Sequence, residues 1–385
     1  MTYKTNPKNG DRLSVLGFGG MRFPKSEEET EKLLLSAIRQ GVNYFDTAYI
    51  YSGSEAAIGR IFTKNNCRAD VKIATKLPYY MARKKEDIDR LWNTQLSRLQ
   101  TDYIDYYMIH MLTELSQWEK LKSFDIEAWI AAKKSAGSIV NMGFSYHGGN
   151  AQFKKIIDAY DWDFCMIQYN YLDEFAQAGK DGLQYAAAKG IPVMIMEPLR
   201  GGTLAANLPK EAQALFKQAD PSRSPAEWGL RWVWNHPEVF TVLSGMTTQE
   251  ILDENVRIAQ TAAPGSLSEQ ELQTVAQARD IIKANTRVAC TGCNYCAPCP
   301  KGVDIPLCFT LYNESFIKKG LRTKVNYLTY VGSHNAGACA QCGRCEKHCP
   351  QSIPIQKELR NVKKEMERFP YGIMRFFVKK VMKQE

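Results

Sequence analysis

Eight cysteines in the C-terminal quarter of the chain fall in two runs, CTGCNYCAPCPKGVDIP and CAQCGRCEKHCPQSIPI. The first spaces Cys290, Cys293, Cys296 and Cys299 by two residues at each step and closes on Pro300. The second spaces Cys339, Cys342, Cys345 and Cys349 by two, two and three residues and closes on Pro350. Thiolates at such spacings are soft metal ligands, able to surround a zinc ion or an iron–sulfur cluster. Triplet spacing closed by proline, twice in one chain, fits two cubane 4Fe-4S clusters better than zinc ribbons. Both runs continue to an Ile-Pro pair, Ile305-Pro306 and Ile353-Pro354, which reads as one repeated unit. Cys67, Cys165 and Cys308 stand outside the pattern and read as ordinary residues. With two complete cysteine sets, neither His334 nor His348 is needed as a ligand.

A second set of reactive side chains lies earlier. Asp46 and Tyr51 stand five residues apart in NYFDTAYIYSGSE, Lys76 ends KIATK and His110 ends YYMIH. A phenol is a poor acid at neutral pH, since tyrosine titrates near 10. An ammonium beside it would stabilise the phenolate and lower that value, and a carboxylate would keep the ammonium charged and oriented. Any one of the four could be structural. Four complementary groups at the ends of successive apolar runs point to a site for proton transfer.

The elements that must position these groups are legible. Short apolar runs at 15–19, 44–47, 71–76, 103–110, 139–145, 164–169, 192–197 and 241–244 alternate with amphipathic helical patterns such as SEEETEKLLLSAIRQG and KKEDIDRLWNTQLSRLQ. That alternation marks βα units and a parallel sheet. Eight strands, each followed by a helix, predict an α/β fold closed into a (β/α)8 TIM barrel. An open doubly wound sheet is disfavoured, because the G-x-G-x-x-G fingerprint after its first strand is missing. Barrel chemistry sits at the C-terminal ends of the strands, where Asp46, Lys76 and His110 fall. A barrel takes about 250 residues, so the predicted division is a barrel over 1–284 and, over 285–385, a small, mainly helical two-cluster ferredoxin-like domain.

Composition narrows the function. With 44% hydrophobic and 24% charged residues, the chain is not intrinsically disordered. No apolar run approaches the roughly twenty residues that span a bilayer, and the N-terminus lacks a secretory h-region. A cytoplasmic protein is expected, where reducing conditions favour metal ligation over disulfides. The formal charge of +9 falls to about +5 once eight thiolates and two oxidised cubane cores are counted. No Lys/Arg stripe interleaved with aromatics suggests nucleic acid. The terminal RFPYGIMRFFVKKVMKQE reads as an amphipathic helix packed on its own protein.

The barrel residues resemble the aldo-keto reductase superfamily over roughly positions 10–280. The likeness rests on F-D-T-A-x-x-Y at 45–51, the I-A-T-K strand, L-S-R-L-Q-T-D-Y-I-D-Y-Y-M-I-H, G-F-S at 143–145, I-Q-Y-N at 167–170 and a late G-M-T-T…E-N ending at Asn255. It implies reduction of a small-molecule carbonyl to an alcohol, or the reverse, with NADP or NAD and with Asp46, Tyr51, Lys76 and His110 as the catalytic set. It further implies that Ser145 and Gln168 hold the nicotinamide carboxamide and that Glu254 and Asn255 meet the adenine end. Gly201, Gly202 and Gly245 would let backbone approach the diphosphate. Two departures stand out. Met196 occupies the place where many relatives stack an aromatic ring on the nicotinamide, and SGMTTQEILDEN lacks the Lys and Arg set against a 2′-phosphate, with Ile251 near the expected Arg. The choice between NADH and NADPH is open. The second cysteine run is similar to bacterial ferredoxins, in which the fourth cysteine of each run ligates the other cluster. On that pattern one cluster takes Cys290, Cys293, Cys296 and Cys349, and the other Cys339, Cys342, Cys345 and Cys299.

The two halves pose a mechanistic problem. Clusters pass single electrons whereas a nicotinamide delivers two as hydride, so direct exchange needs a flavin or another species that splits the pair. A flavin is supported by no motif. In one reading the barrel is a nicotinamide-dependent reductase and the clusters are structural, regulatory or a docking module. In another the clusters carry electrons from a ferredoxin or other redox partner to a substrate or flavin in the barrel. In a third the protein is a non-catalytic electron-transfer or interaction module. The intact tetrad favours the first. Phe23, Tyr49, Tyr79, Tyr80 and Trp118, in candidate rim loops, suit an apolar carbonyl compound.

Overall fold

The computed structural model describes residues 1–317 and 321–368. All but the first residue of RFPYGIMRFFVKKVMKQE lies outside the described residues. The chain divides into two compact units, Met1–Leu199 with Ser222–Val275, and Arg200–Pro221 with the chain from Ala276 on.

The first unit opens with an antiparallel pair, β1 (Tyr3–Thr5) and β2 (Arg12–Ser14). Three-residue strands are too short to show alternation, so the sequence gives no sign of them. Lys4 on β1 ties the pair to the barrel by donating from Nζ to the Pro237 and Val239 carbonyls. Eight parallel strands then follow: β3 (Leu16–Gly19), β4 (Tyr44–Asp46), β5 (Lys72–Leu77), β6 (Ile104–Leu112), β7 (Ile139–Tyr146), β8 (Phe164–Gln168), β9 (Val193–Met196) and β10 (Val239–Ser244). They pair in chain order, and β10 returns to β3 with Val242 opposite Leu16, closing the barrel. Each lies within about two residues of the run read from the sequence.

Side chains alternate along a strand, so residues two apart share a face. The barrel interior is filled by Tyr44, Ala74, Tyr106, Met108, Phe164, Met166 and Met194. Two residues on from these inward positions come Asp46, Lys76, His110, Gln168 and Met196. The candidate site is thus the next inward layer above an apolar core, at the strand ends.

Helices cover the outside for local reasons. Ser26 caps the helix Glu27–Arg39 by accepting from Glu29 N, with three acids in the first turn and Arg39 in the last. The helix Lys85–Leu99 buries Ile88, Leu91, Trp92, Gln95 and Leu99, one stripe of a 3.6-residue period. It meets the helix Ser54–Lys64 at Gly59, where a Cβ would stand 2.2 Å from the Arg98 carbonyl oxygen, so only glycine permits that approach.

In the second unit the helices Ile305–Ile317, Leu321–Val331 and Ile355–Met366 share a core of Phe309, Tyr312, Tyr327, Leu328, Leu359 and Val362. Six of the eight motif cysteines pack against that core. The repeat recurs in the backbone. Gly292 N–H points at Cys290 Sγ and Gln341 N–H at Cys339 Sγ, each at 3.4 Å. Left-handed residues follow at Gly292, Asn294 and Gly302 and again at Gln341, Gly343 and Ser352. The Ile-Pro pairs, however, are not equivalent. The two helices begin at Ile305 and Ile355, each 1% exposed, so Ile353-Pro354 matches Val303-Asp304 instead. Pro354 caps its helix while Pro306 lies in the first turn of the other. A missing N–H costs little at either place, which is why the same dipeptide occurs out of register. Among the described residues no helix is long and apolar enough to cross a membrane.

Candidate active site

Lys76 Nζ donates to Asp46 Oδ1 at 2.6 Å and to the Thr47 carbonyl at 2.7 Å. The side chains of Lys76 and Asp46 are 2% and 5% exposed. Tyr51 reaches the same place from the loop after β4. Hydrogen bonds from Tyr51 N to Ala48 O and from Ser54 N to Tyr51 O fold that loop back, and the Thr47 and Ser54 hydroxyls pin it at 2.7 Å. The Tyr51 ring centroid then lies 5.2 Å from Lys76 Nζ, and the His110 ring stands edge-on to it at 6.4 Å. All four tetrad members are brought together. Beneath them Gln95 Nε2 donates to the Lys76 carbonyl, to Thr75 Oγ1 and to Glu55 Oε1, while Tyr107 OH donates to Gln95 Oε1. This buried strap fixes the end of β5.

The electrostatics follow from burial. Loss of water pushes the His110 imidazole well below the ordinary histidine value, and the charge of Lys76 and the nearby His147 push the same way. His110 is therefore neutral at pH 7 and able to donate a hydrogen bond. Burial also holds the Asp46 carboxyl above the usual aspartate range, against the pull of Lys76. Asp46 Oδ2 is buried with no hydrogen-bond partner among the described residues. An ammonium placed beside a phenol favours the phenolate over the neutral hydroxyl.

On β7, Ser145 Oγ accepts the Met111 N–H at 2.9 Å, and Met111 has a left-handed backbone, φ 61°. Among the described residues the Ser145 O–H itself has no acceptor, which leaves a donor for a carboxamide oxygen. Gln168 is held on both sides: Nε2 donates to Asp173 Oδ2 at 2.7 Å, and Oε1 accepts from Gln177 Nε2 at 2.5 Å. Gln177 Oε1 also meets His147 Nδ1 at 3.2 Å. Burial, assisted by Lys76 and opposed by the Gln177 contact, lowers His147 to about 4. Gly245 follows β10 and is exposed. Asn255 is buried and donates to Ser244 Oγ at 2.9 Å, with Glu254 half-buried beside it in the helix Gln249–Thr261. Gly201 and Gly202 have φ of 64° and 92°, which glycine adopts freely, and belong to the second unit.

Sequence reasoning missed His147, Asp173 and Gln177. His147 had a signal, since it is two residues past Ser145 on a strand end. Gln177 had none, because its partners come from other segments. The rim aromatics need correction. Tyr80 is at the mouth, 42% exposed and 6.4 Å from His110. Trp118 is fully buried against Trp162 at 4.8 Å, and Tyr49 lies under the Arg98 guanidinium at 4.3 Å. Position after a strand does not tell which way a large ring turns.

In the second unit, one cavity is lined by Cys290, Cys293, Cys296 and Cys349. Another is lined by Cys299, Cys339, Cys342 and Cys345, and Cys296 lines both. Burial, then Cys290 and Cys293, with Cys349 also contributing, raises the Cys296 thiol to about 12. Among the described residues no three ligating side chains converge on a single-ion site. Cys308 is buried beside the Tyr327 hydroxyl, away from both sets.

A parallel eight-stranded barrel with this strand-end tetrad defines a class, and comparison with known proteins agrees. The aldo/keto reductase family model matches residues 15–280 and the 4Fe-4S dicluster domain model residues 289–359. The chain belongs to the aldo/keto reductase family and is an oxidoreductase. It is 26% identical over 307 residues to the uncharacterized oxidoreductase YqkF of Bacillus subtilis (strain 168), covering 71% of this chain and 95% of that one. It is 24% identical over 301 residues to the NADP(+) aldo-keto reductase yakc of Schizosaccharomyces pombe, covering 73% and 82%. Among solved structures it resembles the holo form of aldo-keto reductase AKR11C1 from Bacillus halodurans, with a TM-score of 0.61, 25% identity and coverage of 72% and 96%.

Proposed function

We propose that residues 1–284 form a nicotinamide-dependent carbonyl reductase or alcohol dehydrogenase, and that the chain from 285 carries two 4Fe-4S clusters. The observation that carries the first part is the buried Lys76–Asp46 pair at 2.6 Å beneath the Tyr51 ring. No protein side chain supplies hydride, and a bound nicotinamide would provide it. Ser145, with its uncommitted hydroxyl proton, and Gln168, held by Asp173 and Gln177, fit the carboxamide end of that group. Tyr51 gives its proton to the oxygen that gains charge, Lys76 stabilises the phenolate left behind, and Asp46 holds Lys76 in place. Neutral His110 orients the carbonyl oxygen. The exposed face of Tyr80 suits an apolar substrate.

Anaerobically purified protein should bind NADPH or NADH, followed by nicotinamide fluorescence, without loss of the cluster absorbance. Failure of both to bind would overturn the nicotinamide reading. Bleaching without added flavin would overturn the separation of the two chemistries and favour clusters coupled to the barrel.

The thiols that line the two cavities fit two clusters with exchanged fourth ligands. Cys299→Ser should therefore remove about half of the iron and the same paramagnetic signal that Cys342→Ser removes. Loss instead of the signal that Cys290→Ser removes would mean that each run serves its own cluster.

A further inference from the structure

The two cysteine cavities differ in what surrounds the thiols. Around Cys290, Cys293, Cys296 and Cys349 the lining is Ile305, Phe309, Ile353, Ile355 and two prolines, with Thr291, Asn294 and Gln351 as polar groups and, among the described residues, no charged one. The other cavity is lined by Lys301, Arg344 and His348, and among the described residues no acidic one lines it. Lys301, Arg344 and the neighbouring Lys347 are exposed, and Cys342 is the one exposed cysteine among the eight. Arg360 extends the basic rim by donating to Gln341 Oε1 at 2.9 Å, one residue before Cys342. Glu346, the acid in this stretch, accepts from the Gln356 backbone N–H at 2.8 Å and from its side chain at 3.2 Å.

Exposed like charges with few counter-charges cost stability through mutual repulsion and are useful chiefly toward a partner of opposite sign. Here Lys301 and Arg344 line the cavity of the most exposed thiol of a cluster-type ligand set. We infer that the face formed by Lys301, Arg344, Lys347 and Arg360 around Cys342 is the docking surface for a small acidic one-electron carrier protein. Docking serves the passage of one electron. The carrier is oxidised by one, the iron–sulfur group held by Cys299, Cys339, Cys342 and Cys345 is reduced by one, and no bond or proton moves. The apolar cavity has no cation among its described lining residues. The inference rests on the reading that these four thiols hold a cluster.

The test uses full-length holoprotein, assayed first for iron and sulfide. Pre-reduced acidic bacterial ferredoxin is mixed with it in a stopped-flow device at low and high salt, and a viologen with a single sulfonate arm, neutral once reduced by one electron, serves as an uncharged control. Steered association changes on-rates by about 10- to 1,000-fold. The double variant Lys301→Glu/Arg344→Glu should therefore slow reduction by ferredoxin roughly tenfold or more at low salt. Its rate with the viologen should be unchanged. Should that variant lose iron, the pair Lys347→Glu/Arg360→Glu, which does not line the cavity, carries the same expectation. A ferredoxin rate indifferent to salt and to both pairs would overturn the docking face. Wild-type protein that holds no iron or sulfide would instead overturn the cluster reading beneath it.

Discussion

Tyr51→Phe is expected to lower kcat/KM for carbonyl reduction by about 10²- to 10⁴-fold, the range that general acid catalysis supplies. On the proposed mechanism the Tyr51 hydroxyl is the proton donor of the tetrad. His110 is held neutral by burial and by Lys76, and Lys76 is committed to Asp46 and Thr47. Phenylalanine keeps the ring between Lys76 and His110, so nicotinamide affinity and thermal midpoint should stay close to wild type. Steady-state kinetics with a panel of aromatic aldehydes, beside nicotinamide titration, would check both halves. A variant within a few-fold of wild type would remove Tyr51 from the mechanism.

The second large effect is on stability. Lys76→Met strands a buried carboxylate, and breaking a buried ion pair from one side costs about 3–5 kcal/mol. The sign of its pH dependence follows from Asp46. Its folded value already lies above the ordinary one because of burial, and loss of Lys76 raises it further. An acid with a raised folded value contributes fully below its unfolded value, near 4, and loses that contribution as pH rises through the folded value. The gap between variant and wild type should therefore widen as pH rises above about 4. Removing the stranded charge with Asp46→Asn/Lys76→Met should restore most of the stability but none of the activity. All seven tryptophans lie in the first unit, so urea unfolding followed by tryptophan fluorescence reports on the barrel alone. A gap independent of pH would mean that Asp46 is not ionised beside Lys76.

Particular residues show how far the sequence reached. Asp46, Lys76 and His110 could be placed because each ends an apolar run, and strand periodicity carries the inward face from Tyr44, Ala74 and Met108 to them. The hairpin of β1 and β2 was not legible, since its two strands are too short to carry a period. Trp118 and Tyr49 were misread as rim residues because rotamer choice depends on neighbours distant in the chain, Trp162 in one case and Arg98 in the other. The same limit hid the clamp of Asp173 and Gln177 on Gln168.

The sequence by itself determined the barrel, the tetrad and the two cysteine runs, because periodicity and ligand spacing are local and survive in a linear string. Only the tertiary structure decided that Ile305 answers Ile355 and not Ile353, and that Lys301 shares a cavity with Cys342. Those are relations between residues about fifty apart, fixed by how helices pack over the repeat and not by any spacing along the chain.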